Sequence, residues 1–176
     1  MARRILALLF AAGLLAPAFA QDSDLPVKKT GRPGQNTLEE EAKFDKIVDR
    51  FIDYDKGSRR DPAALNELNS LGQEAIPALI RGLNKSVKSS YSCPTATIAK
   101  KLKQLLMASE DERTLDYART DIGAGIGKPT VYDPLLRDLK VTTMLRKKQL
   151  AELRTAARKD IPTSGSSYRS PGEDKP

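Results

Sequence analysis

Histidine and tryptophan are absent from this 176-residue chain, and cysteine occurs once, at Cys93. Without histidine, the side chain that most often serves as general base and neutral metal ligand near pH 7 is missing. A Cys-His nucleophile pair is therefore excluded within the chain. A lone cysteine also forbids an intrachain disulfide, so packing must hold the fold. Cys93 stands between Ser92 and Pro94, near a helix start. Such a site is expected to carry a partly buried packing residue, with an intermolecular disulfide after export as the open alternative. Aromatic residues make up only 5% of the chain, which leaves little surface on which nucleic-acid bases would stack. No segment alternates apolar and polar residues as a half-buried strand does. These absences point away from an enzyme: no catalytic residue, cofactor or metal is expected.

At the amino terminus, Met1-Ala2-Arg3-Arg4 precedes an apolar run from Ile5 to Ala16 and then Pro17-Ala18-Phe19-Ala20. A basic start, a short apolar core and small residues at Ala18 and Ala20 form a secretory signal peptide, with cleavage expected after Ala20. The run falls short of the roughly 20 residues that span a bilayer, so no transmembrane segment is expected in the mature chain. The expected location is periplasmic or secreted. Losing Arg3 and Arg4 with the leader takes the formal charge from +7 to +5. Gln21 to Asn36 carries Pro26, Gly31, Pro33 and Gly34 among basic residues without periodicity, and reads as a flexible linker.

Helical spacing dominates from there. Thr37 and Glu40 have the form of a capping box, and Phe44, Ile47, Val48, Phe51 and Ile52 make one stripe of a helix ending by Gly57. Asp61-Pro62 opens a short second helix with Leu65, Leu68 and Leu71 as its buried edge, stopped by Gly72. The third carries Ile76, Leu79, Ile80 and Leu83 at i, i+3, i+4, i+7. Pro77 marks its start, because a proline fits where N–H groups lack an intrahelical partner. Asn84 to Ser92 is serine-rich and reads as a long connection. Pro94 opens a helix with Ile98, Leu102, Leu105 and Leu106 inward. Ser109 to Glu112 has the form of a second capping box, before a helix with Leu115, Ala118 and Ile122 inside, ended by Gly123 or Gly125. Asp133-Pro134 starts the last helix, through Leu135, Leu136, Leu139, Met144, Leu145, Leu150 and Leu153, with Thr142-Thr143 loosening its middle. From Asp160 onward Pro, Gly and Ser dominate, the composition of a disordered tail.

The stretch Leu71-Gly72-Gln73-Glu74-Ala75-Ile76-Pro77-Ala78-Leu79-Ile80 resembles the junction between successive HEAT repeats, where the second helix of one unit meets the first of the next. The resemblance is specific over Leu68 to Leu83, looser from Asp61 to Ile122, and absent from both tails. It implies an all-α fold: a short αα superhelix of about six helices in antiparallel pairs, of armadillo-like type. The acidic first helix and the basic last helix would cap its ends. The expected organisation is a signal peptide over 1–20, a linker over 21–36, a helical repeat domain over 37–159 and a tail over 160–176.

Two motifs fail on spacing. Gly123 to Thr130 invites a phosphate-loop reading, but Ile122 stands where the first glycine belongs and Pro129 where the hydroxyl belongs. The dinucleotide pattern fails too, its third glycine arriving one residue early. A flexible helix connection is the expectation, with an anion nest of glycine N–H groups as the minor alternative. Asp53 to Gly57 suggests a calcium loop, but its glycine is one position early and Ala64 occupies the closing position.

Basic residues are unevenly placed. Arg81, Lys85, Lys88, Lys100, Lys101 and Lys103 lie in a stretch without acid between Glu74 and Glu110. Arg137, Lys140, Arg146, Lys147, Lys148, Arg154, Arg158 and Lys159 have only Asp138 and Glu152 among them. The candidate binding surface is Arg81, Lys85, Lys88, Lys100, Lys101, Lys103, Arg146, Lys147 and Lys148. HEAT-like repeats bind proteins, so the resemblance implies an exported scaffold engaging another protein through this basic surface. The alternative is electrostatic binding to anionic envelope polymer, membrane surface or nucleic acid, the last disfavoured by export.

Overall fold

A computed structural model of the chain describes residues 29–55 and 62–159. The leader, Gly57, the cap expected at Asp61 and the tail from Asp160 lie outside the described residues. Among those residues there are six α-helices and no strand: α1 (Leu38–Asp55), α2 (Pro62–Ser70), α3 (Ile76–Lys88), α4 (Ser92–Ala108), α5 (Glu112–Asp121) and α6 (Asp133–Lys159).

Local chemistry sets most of the boundaries. The capping box before α1 is reciprocal: Thr37 Oγ1 accepts from Glu40 N at 3.2 Å, and Glu40 Oε2 accepts from Thr37 N at 2.8 Å. A 3-10 turn over Gln73–Ala75 leads into α3, with Pro77 in its first turn as its missing N–H requires. The serine-rich stretch departs from expectation, because α3 continues to Lys88 and only Ser89, Ser90 and Tyr91 connect it to α4. Ser86 is buried with its hydroxyl 3.0 Å from the carbonyl oxygens of Gly82 and Leu83, and Val87 is buried beside it. Ser90, at φ 57°, then closes the helix: its N–H donates to Val87 O and the Tyr91 N–H to Ser86 O, both at 3.1 Å. The cap of α5 is Asp111 rather than Ser109, whose buried hydroxyl accepts from Asp111 N.

The core forms around α3, whose Ile76, Leu79, Ile80, Leu83 and Val87 are buried against α1, α4 and α5. Val48, Phe51 and Ile52 of α1 join it, as do Ile98, Leu102 and Leu106 of α4 and Leu115 and Ala118 of α5. Four expected core positions face outward. Leu65 is 40% exposed, its place taken by Ala64, and α6 buries Leu136, Leu139, Thr143 and Leu150 while leaving Met144, Leu145 and Leu153 open. Thr142 and Thr143 do not loosen α6: they lie three and four residues beyond Leu139, and their hydroxyls donate to the carbonyls of Asp138 and Lys140.

Contacts link α1 with α2, α3 with α4 and α5 with α6, and also α1 with α3, α3 with α5 and α4 with α6. Cross-helix pairs give the directions. Asp45 meets Arg81 and Asp49 meets Lys85, so α1 and α3 run parallel. Asp116 meets Lys147 and Glu112 meets Arg154, so α5 and α6 run antiparallel.

α1 lies close against α3 at Gly82, where a Cβ would collide with Val48 Cγ1. Gly82→Ala is therefore expected to destabilise the fold by about 1–3 kcal/mol despite alanine's better helix propensity. Adding Val48→Ala should recover part of that loss in a denaturation double-mutant cycle, and strict additivity would refute the contact.

Candidate functional site

The nine candidate basic residues occupy different seams of the helix packing. Arg81 reaches α1, with Nε 3.0 Å from Asp45 Oδ1, Nη2 3.0 Å from Asp45 Oδ2 and a further bond to Glu41. Burial alone would lower its pKa, but the bonds to Glu41 and Asp45 prevail and raise it. Lys85 Nζ lies 2.7 Å from Asp49 Oδ1. Lys101 donates to the Asn69 carbonyl at the end of α2, and Lys103 pairs with Asp138 of α6 at 2.7 Å. Arg146 Nε donates to Ser109 O at 2.8 Å, Lys147 pairs with Asp116 at 2.7 Å, and Lys148 stands 3.9 Å from Glu152. Only Lys88 and Lys100 of the nine carry no such bond among the described residues.

The acid-free stretch thus receives its acids from α1 and, at Lys103, from α6, and the basic run of α6 receives Asp116 and Glu112 from α5. Spacing within one segment hides this. The pairs are largely exposed, so each contributes about 0–1 kcal/mol and serves to set register.

A second cluster lies where sequence reading placed a flexible linker. Lys29 to Asn36, the described part of that stretch, forms a strap bonded to the helices. Arg32 grips Asp111 with Nε 3.1 Å from Oδ2 and Nη2 2.9 Å from Oδ1, while Thr30 Oγ1 donates to Asp111 Oδ2 at 3.0 Å. Thr114 Oγ1 lies 2.8 Å from the same carboxylate and 3.0 Å from the Thr30 carbonyl. Asn36 Nδ2 donates to Glu74 O at 2.8 Å and to Glu41 at 2.7 Å. Gly31, at φ 79°, has no room for a Cβ because the Gln73 carbonyl sits against it. The hydrogen bond from Arg32, helped by those from Thr114 and Thr30, holds the Asp111 carboxyl far below the usual carboxylate range against the opposing effect of burial.

Cys93 is exposed, not partly buried, at the mouth of an apolar hollow of about 520 Å³ lined by Phe51, Tyr54, Pro62 and Leu65. Burial first, then the charge of Asp121, pushes the Tyr117 phenol pKa up. Among the described residues, no group of three or more Cys, Asp or Glu is placed to hold a metal ion.

Two further surfaces stand out, the first missed by sequence reading and the second raised there only as the minor alternative of an anion nest. One is the outer face of α6, where Val141, Met144 and Leu145 are exposed between Arg137 and Lys148. Its signal was available, since 141, 144, 145 and 148 share a face that excludes Leu139 and Leu150. The other is a concavity at the glycine turn between α5 and α6, lined by Lys128, Arg137 and Lys140. No protein-family model matches the chain, and searches among curated proteins and among solved structures find no match.

Asp111 has a depressed folded-state pKa, so its contribution is fully present above the unfolded value of about 3.9 and is lost as pH falls through the folded value. Stability attributable to the strap should therefore be flat from pH 7 to 5 and fall only in stronger acid. Asp111→Asn should cost about 1–3 kcal/mol at pH 7 and expose the amides of 29–36 to hydrogen exchange. Unchanged stability and protection in that variant would show that the strap does not depend on this carboxylate.

Proposed function

We propose that the chain is an exported, non-enzymatic binding scaffold of HEAT-like type, a short αα superhelix that engages an acidic protein partner through the outer face of α6. The observation that carries the superhelix is helix direction. Consecutive helices α5 and α6 run antiparallel, whereas α1 and α3, one step apart, run parallel, as stacked hairpins require. Export rests on the leader.

The partner surface is argued from what the packing leaves over. Met144 and Leu145 are each 57% exposed at mid-helix, with Val141 beside them, although Thr142 and Thr143 are buried on the opposite side. Apolar side chains clustered on a helix face and bordered by charge mark interaction sites. The border is Arg137 and Lys148, with Glu152 as the nearby acid, so the complementary partner is an amphipathic helix with carboxylates beside its apolar stripe. The alternative, a purely electrostatic binder of anionic polymer or membrane, draws less support because seven of the nine candidate cations already bond within the chain.

The test uses the mature chain and Met144→Glu/Leu145→Glu as paired baits for envelope extract, with the retained protein then purified and titrated. An acidic protein that binds the wild type and loses at least tenfold in affinity for the variant, with modest salt dependence, supports the reading. Equal affinity for both baits, or binding abolished by moderate salt, contradicts it.

A further inference from the structure

The geometry points to a binding site for a phosphate group at the glycine turn between α5 and α6. This site adjoins the proposed partner surface, with which it shares Arg137, and uses a motif that fits neither nucleotide pattern. A concavity of about 410 Å³ opens there, walled by Gly123 and Gly127 and by the side chains of Lys128, Arg137 and Lys140. Arg81, Lys85, Lys103, Lys147 and Arg154 are each spent on a carboxylate. Lys128, Arg137 and Lys140 form no ion pair among the described residues. Lys88 adds a fourth unpaired cation on the far side of the turn, its Nζ 3.2 Å from where a Cβ on Gly125 would lie.

One acid lines the cavity, Asp133, and it is already engaged. Its Oδ1 accepts from Thr130 N at 3.1 Å and from Thr130 Oγ1 at 3.0 Å. The wall therefore carries a net positive charge of about two, which matches the −1.5 to −2 of a phosphate monoester near neutral pH. Backbone donors add to this. Gly123 N is used by Asn84 Oδ1, Ala124 N by Asp121 O and Ile126 N by Gly123 O. The N–H groups of Gly127 and Lys128, which line the cavity, make no hydrogen bond among the described residues, and a Cβ on Gly127 would meet open space. Gly123 and Gly125 hold the turn at φ 78° and 69°, which side chains would strain. Unspent N–H groups beside an arginine fork and lysines are the donors from which phosphate sites are built.

A phosphate group reaches such a site either on a free ester or on a lipid headgroup. Amide NMR of the mature chain titrated with inorganic phosphate tests the shared chemistry, and cosedimentation with phosphatidylglycerol or phosphatidylcholine vesicles separates the sources. Saturable shifts confined to Gly123–Lys128 and the start of α6, with at least tenfold weaker binding in Lys128→Gln/Lys140→Gln and none lost in Lys100→Gln/Lys101→Gln, establish the site. Retention on phosphatidylglycerol alone, released by that same variant, assigns the lipid source; phosphate binding without retention assigns the free ester. Shifts spread over all basic residues, or equal losses in both lysine pairs, overturn the proposal.

Discussion

Enclosure of α3 by three other helices is the constraint on which the rest of the structure depends. The helix presents buried side chains to α1, α4 and α5 in turn, and its first turn rests on the 3-10 turn that Gly31 of the strap covers. A helix in this position cannot have one apolar stripe. It needs small residues where neighbours come close, and Gly82 and Ala78 supply them. With no disulfide available, this burial is the main source of cohesion. Each large aliphatic side chain removed from water contributes about 1.5–3 kcal/mol before entropy is counted.

Polar contacts then choose among the ways such helices could pack. The carboxylates of α1 at 41, 45 and 49 step along the helix at the same interval as Arg81 and Lys85, which locks the register of the two. Helix ends are closed from a distance. Gln73 donates to the carbonyl of Ala108, Arg146 to Ser109, and Asn84 takes both the Asp121 carbonyl and the Gly123 N–H. The strap ties the amino-terminal stretch to the cap of α5 through Asp111. Interactions of this kind contribute modestly one by one, yet each would be lost in a slipped packing.

Features decided within a few residues were legible in the chain: the Thr37–Glu40 box, the helix start beside Pro77, the stripe of α3 and the glycine end of α5. Features decided across the fold were not. Arg32 and Asp111 are far apart in sequence, so the strap looked like a spacer. The serines after Asn84 looked like a loop because serine favours turns, but Ser86 satisfies its hydroxyl within the helix and Val87 has a core to enter. On α6, adding every leucine and methionine to one stripe overlooked that Met144 and Leu145 lie across the helix from Leu139, while threonines fill the buried line. The pairing of most of the candidate basic residues was hidden for the same reason, their acids and carbonyls arriving from other helices. What remains uncommitted is an apolar patch on α6, from which the proposed function is argued, and a concavity of unpaired cations beside it.

The claim that α3 is the enclosed centre is tested most directly by residue-resolved hydrogen exchange of the mature chain under native conditions. Amides of Leu79 to Val87 should exchange last, at rates set by global unfolding, while those of residues 151–158, exposed at the end of α6, exchange fast. Exchange of α3 at rates comparable to the end of α6 would contradict the account.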